Sequence, residues 1–173
     1  MADTQITALA GHHYLISQLL AAGIEVATPV RDHGIDLIAY VDRIEATGQF
    51  FACPIQLKTN EDERFSLHRK YEKFPNLLMV YAWNISSTTS RTLYALTYRE
   101  AEKLLQKGPK GTDHTKTNSW TKENGSYHFR VNTDWQDLLK PYQMTESKQW
   151  EEKILEVSKL EASSHELLAA VKE

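Results

Sequence analysis

Apolar residues recur at helical spacing near the start of the chain: Leu9, Leu15, Ile16, Leu19 and Leu20 fall on one stripe between Ile6 and Ala22. Gly23 follows as a stop signal, so the pattern predicts an amphipathic first helix. Residues 25–30 alternate loosely and read as a short strand. Two runs with the β-branched and aromatic content of strands come next, at 34–42 and 50–59. The charged stretch between them ends in Gly48, which predicts a turn and a β-hairpin. Pro54 conflicts with the second strand, because proline has no N–H for the ladder. A bulge, or an amide position facing away from any partner, is expected there.

Ser66 in the capping position predicts a short helix over 67–74, stopped by Pro75. The nearly continuous apolar run 77–83 predicts a buried central strand. Another strand is expected at 92–96 and an amphipathic helix at 98–107, broken by Gly108-Pro109. The polar stretch 112–125 is a candidate mobile loop. A late strand at 127–131 precedes a short helix over 135–140, capped by Thr133 or Asp134 and ended by Pro141. The last element is a long helix over 145–171, with Trp150, Ile154, Val157, Leu160, Leu167 and Leu168 on one side. Packing on the core is its expected role, with a second subunit as the alternative. Ser163, Ser164 and His165 break its heptads and argue against a long coiled coil.

Composition adds bounds. A length of 173 residues, with 41% hydrophobic and 25% charged, fits one globular unit with a real core. The expected division is a main domain over 1–143 and a C-terminal amphipathic helix over 144–173. No apolar run approaches the roughly 20 residues of a membrane helix. The first residues lack the basic and apolar regions of a secretory signal. With Cys53 the only cysteine, no disulfide forms within the chain, and a cytoplasmic location is expected. The net charge of -3 counts mildly against nucleic-acid binding, but it is unevenly distributed. Residues 58–122 hold twelve Lys/Arg against seven Asp/Glu, while both flanking segments are acidic. That basic middle is either a phosphate-contacting region or ordinary solvated surface.

The hairpin carries the candidate chemistry. Strand side chains alternate between faces, so Gln56 and Lys58 point one way and Ile55 and Leu57 the other. A turn centred near Glu45 and Ala46 puts Asp36 opposite the 55–58 stretch. An acid, an amide oxygen and an ammonium then converge, an arrangement that suits a hard divalent cation beside a lysine.

Asp36 followed by Gln56-Leu57-Lys58, in the order helix, strand, strand, strand, helix, strand, resembles the PD-(D/E)xK nuclease superfamily. The likeness is greatest to its small Holliday-junction-resolvase-like and intron-homing-endonuclease-like members. Residues 8–83 carry it, with Gln56 in a known variant of the (D/E)xK element. The resemblance implies a restriction-endonuclease-like α/β core: a central mixed sheet flanked by helices, plus a C-terminal helical extension. It implies Mg²⁺ or Mn²⁺ held by Asp36, the Gln56 amide oxygen and the Leu57 carbonyl, with Lys58 on the attacking water. It implies a DNA endonuclease, with branched or duplex DNA as substrate and a homodimer as the assembly.

The first helix departs from that pattern, because His12 stands where relatives carry a glutamate. It is either an outer ligand or proton shuttle, or a surface or capping histidine. Arg69, Lys73 and Trp120 are candidate nucleic-acid contacts, the first two on one face of the expected 67–74 helix. Cys53 falls at the buried parity, which makes it a small core residue and not a nucleophile. No phosphate-binding loop, dinucleotide fingerprint or nucleophile-elbow motif occurs. Gln56 in place of an acid, His12 and the acidic total charge also allow a catalytically degenerate module of the same fold, serving nucleic-acid binding or protein assembly.

Overall fold

The computed structural model describes residues 3–31, 33–43, 49–117, 120 and 125–170. Helix α1 (Thr4–Ala21) is followed by β1 (Glu25–Ala27), β2 (Leu37–Arg43) and β3 (Gln49–Asn60). Then come β4 (Arg64–His68), β5 (Leu78–Trp83) and β6 (Thr92–Thr97). Helix α2 (Tyr98–Gln106), β7 (Ser126–Arg130), α3 (Thr133–Leu139) and α4 (Ser147–Ala170) complete the order. Five strands form one mixed sheet in the order β1-β2-β3-β5-β6, and β4 pairs with β7 in a separate two-stranded ribbon. Only β3 and β5 run parallel; the other neighbours are antiparallel. The architecture is the expected mixed α/β sheet with flanking helices.

The period-two alternation of β5 builds both halves of the core. Leu78, Val80 and Ala82 face one way, and Met79, Tyr81 and Trp83 the other, all fully buried. On the first face they meet Leu15 and Leu19 of α1, Ile55 of β3, and Trp150, Ile154 and Val157 of α4. The long last helix therefore packs on the core along its described first half. On the second face they meet Phe65 and Leu67 of β4, Leu104 and Leu105 of α2, and Leu139 of α3. Burial on both faces explains why this strand reads as an unbroken apolar run.

The hairpin register pairs Leu37 with Ile55 and Arg43 with Gln49, so it is centred on residue 46 as the charged turn predicts. Residues 44–48 themselves lie outside the described set. Pro54 pairs with Ile38 without interrupting that register. Backbone N–H groups alternate sides along a strand, and Leu57 directs its N–H toward Asp36 on the β2 side. The Pro54 nitrogen therefore faces the β5 side, where the ladder begins only at Ile55. Proline there removes no bond.

Two predicted elements differ. The stretch expected as a helix over 67–74 is instead the end of β4 and a 3₁₀ turn, Arg69–Tyr71. Phe65 and Leu67 are buried while Ser66 and His68 are not, a period of two that the cap signal at Ser66 obscures. The cap of α3 is Asn132, which accepts from the Trp135 N–H, and not Thr133 or Asp134. Of the candidate mobile loop, the described part forms a 3₁₀ turn at His114–Lys116. Residues 118, 119 and 121–124 lie outside the described set. Among the described residues, no helix is long and apolar enough to cross a membrane.

Candidate functional site

Asp36 sits one residue before β2, and the register places it opposite Gln56 on β3. Its N–H donates to the Ile55 carbonyl at 2.8 Å, which fixes the backbone against β3. One carboxylate oxygen, Oδ2, accepts from the Leu57 N–H at 2.6 Å and also from the Gln56 side-chain amide. The same amide nitrogen reaches the Leu57 carbonyl at 3.2 Å. A carboxylate, the amide nitrogen and a main-chain carbonyl thus meet at one point, whereas the amide oxygen expected there faces away from Asp36.

Gln56 is 5% exposed, so its amide needs partners on both ends. The second partner is Tyr71, whose hydroxyl donates to Gln56 Oε1 at 2.6 Å. Tyr71 is itself buried, at the end of the 3₁₀ turn that follows β4. Gly34 lies against this pair. Its φ is +87°, and a Cβ there would lie 3.4 Å from Tyr71 Cε1 and 3.6 Å from Gln56 Oε1.

Lys58 lies two residues on from Gln56 and on the same face. Its ammonium stands 5.7 Å from the Tyr71 ring centroid, and Lys70 covers that ring at 4.9 Å. These side chains open onto a concavity of about 470 Å³ lined by His33, Gly34, Gln56, Lys58, Lys70, Tyr71, Lys73 and Phe74. Among the described residues, three ammonium groups and no carboxylate belong to that lining, which suits an anion. His68 lies beside it. Burial holds its imidazole below the ordinary value, and the charges of His128, Lys58 and Lys70 push the same way.

Of the other sequence candidates, Lys73 reaches this concavity. His12 makes its ring contact with His13 at 5.8 Å, on a helix that packs against the Ile55 face of the sheet. The residue before it, Gly11, is what allows that approach, since a Cβ there would collide with Thr59. Among the described residues, no group of three or more His, Cys, Asp and Glu is placed to hold a metal ion. Arg69 and Lys73 do not share a helix face, because the helix is absent. Arg69 pairs with Glu72 at 3.4 Å, while Lys73 lines the concavity with its ammonium 5.1 Å from the Phe74 ring. Trp120 is 5% exposed and belongs to the core, so it presents no face for stacking on a base. Cys53 is fully buried, as its parity predicts.

Tyr71 is the site residue that sequence reasoning misses. It lies in the stretch that reads as a helix, and nothing in its neighbours signals a contact with Gln56.

No protein-family model matches this chain, and no curated protein sequence matches it. Among solved structures, the bacterial homing endonuclease I-Ssp6803I is similar at a TM-score of 0.44 and 13% sequence identity. The match covers 95% of this chain and 99% of that one.

Proposed function

We propose that this chain is a divalent-metal-dependent endonuclease that hydrolyses DNA phosphodiesters at Asp36, Gln56 and Lys58. One observation carries the reading: the Asp36 carboxylate, the Gln56 amide and the Leu57 carbonyl converge beside Lys58 and a lysine-lined concavity.

The donor set is of hard oxygens, which fits Mg²⁺ or Mn²⁺ and not a thiolate-seeking metal. Asp36, Gln56 Oε1 and the Leu57 carbonyl would hold the ion. Gln56 must exchange its amide ends to do so, because Oε1 now faces Tyr71. Tyr71 permits the exchange, since a hydroxyl both donates and accepts. When bound, the ion supplies Lewis acidity and a more acidic water. Lys58 supplies a cation for the charge that grows on the phosphate and a donor to orient the attacking water. Lys70 and Lys73 hold the flanking phosphates. A homodimer belongs to this reading, because one site cuts one strand.

One observation favours a second reading, a binding or assembly module without catalysis. The Gln56 amide nitrogen already donates to the Asp36 carboxylate, so the two hold each other without an ion. Incubation with plasmid and branched DNA in Mn²⁺, beside Lys58→Ala, separates the two. The nuclease reading expects cleavage by the natural chain and at least a hundredfold loss in the variant, within the usual range for an electrostatic or acid–base group. Equal degradation by both, or none by either, removes it.

A further inference from the structure

The β4–β7 ribbon carries a second concavity, of about 520 Å³, lined in part by Arg64, Ser66, His128 and Arg130. The ribbon pairs Arg64 with Arg130, Ser66 with His128, and His68 with Ser126. Strand side chains alternate, so these six share one face while Phe65 and Leu67 turn into the core. Every residue of that outward face is a cation, an imidazole or a hydroxyl.

Two arginines directly across a ribbon repel each other and cost stability. Asp62 offsets this by accepting from both, at 2.9 Å from Arg64 and 2.7 Å from Arg130. One carboxylate against two guanidiniums leaves a net positive charge, and the arginine side chains remain 63% and 73% exposed. The row then runs on toward the site. The His68 ring lies 4.9 Å from that of His128 and 6.4 Å from that of Tyr71, which Lys70 and Lys58 cover. Cationic and polar side chains therefore form one line from Arg130 to Lys58.

We propose that the outer face of this ribbon is a track for the DNA backbone, holding duplex phosphates on one side of the Asp36–Lys58 site. The choice of DNA rests on the nuclease reading; the charge of the face does not. Five residues of strand span about 17 Å, the length of about five base pairs. Arg64 and Arg130 contact phosphates there, and contacts of this kind fix register without reading sequence.

The test is binding of a fluorescein-labelled 20-base-pair duplex in EDTA, followed by anisotropy across a salt series. Arg64→Ala, Arg130→Ala and the double variant are compared with Lys148→Ala, which removes one exposed charge from α4 on the other side of the sheet. The double variant is expected to bind at least tenfold more weakly near 0.1 M salt. Its log–log salt slope should be shallower by about two, one per lost phosphate contact. Lys148→Ala should match the natural chain. An unchanged affinity and slope in the double variant, a loss shared by Lys148→Ala, or no duplex binding by the natural chain overturns the track. Circular dichroism confirms that the variants fold. Failure of the nuclease reading looks different: the ribbon effect persists in EDTA while no DNA is cut in Mn²⁺.

Discussion

The Tyr71 hydroxyl stands 2.6 Å from Gln56 Oε1, and both side chains are almost wholly buried. A single hydroxyl thus anchors the end of the amide that points away from Asp36, in either orientation of the amide. Tyr71→Phe removes that anchor with little change in volume. Loss of a buried hydrogen bond costs about 1 kcal/mol, or about 3 °C in a chain of this size. In a metal titration of DNA cleavage, the Mn²⁺ concentration giving half the maximal rate should rise several-fold. The rate at saturating metal should change little, because Tyr71 positions a ligand and does not touch the phosphate.

Gln56→Glu should act in opposite directions with and without metal. In EDTA a second carboxylate replaces the amide N–H that Asp36 now accepts, so like charges face each other and the melting temperature falls. A cation relieves that repulsion and gains a charged ligand. The Mn²⁺-induced rise in melting temperature should therefore exceed that of the natural chain, as scanning calorimetry with and without the ion will report.

Gly34→Ala tests the backbone of the site. A left-handed conformation costs an L-residue about 1–2 kcal/mol, and the new methyl meets Tyr71 and Gln56 at ordinary contact distances. Thermal unfolding should show a loss of that order, which comes from the backbone conformation and not from crowding of the Tyr71–Gln56 pair.

That Asp36 and Gln56 face each other is legible in the sequence because two independent cues, strand parity and the turn, agree. Parity along β3 assigns Gln56 and Lys58 to one face and Cys53 and Ile55 to the other. The charged turn then sets the register that brings Asp36 across. At β4 the cues conflict. Ser66 is a good helix cap, yet the alternation of Phe65, Ser66, Leu67 and His68 is that of a strand, and pairing with β7, some sixty residues on, decides the outcome. A long-range partner of this kind leaves no local mark, so Tyr71 and the ribbon face stay hidden. Trp120 sits in a polar stretch and still enters the core, because burial follows tertiary contact and not the polarity of neighbours.

His68 gives the fold a pH dependence whose sign follows from its surroundings. It faces His128 on β7, Lys58 on β3, and Lys70 and Tyr71 in the 3₁₀ turn. Burial first, and these cations second, hold its imidazole below the unfolded value of about 6.5. The unfolded chain thus binds the proton more readily. The stabilisation from neutral His68 is complete above about pH 6.5 and is lost as the pH falls toward the lower folded value. Melting temperatures between pH 7.5 and 5 should fall less steeply for His68→Gln than for the natural chain.

The central claim is that Asp36 anchors a divalent ion, and thermal unfolding against Mn²⁺ concentration tests it most directly. The natural chain should show a saturable rise in melting temperature that Asp36→Ala lacks, measured from each protein's own baseline in EDTA. No rise in the natural chain, or an equal rise in both, contradicts a metal site at Asp36 and leaves the carboxylate–amide pair as a purely structural contact.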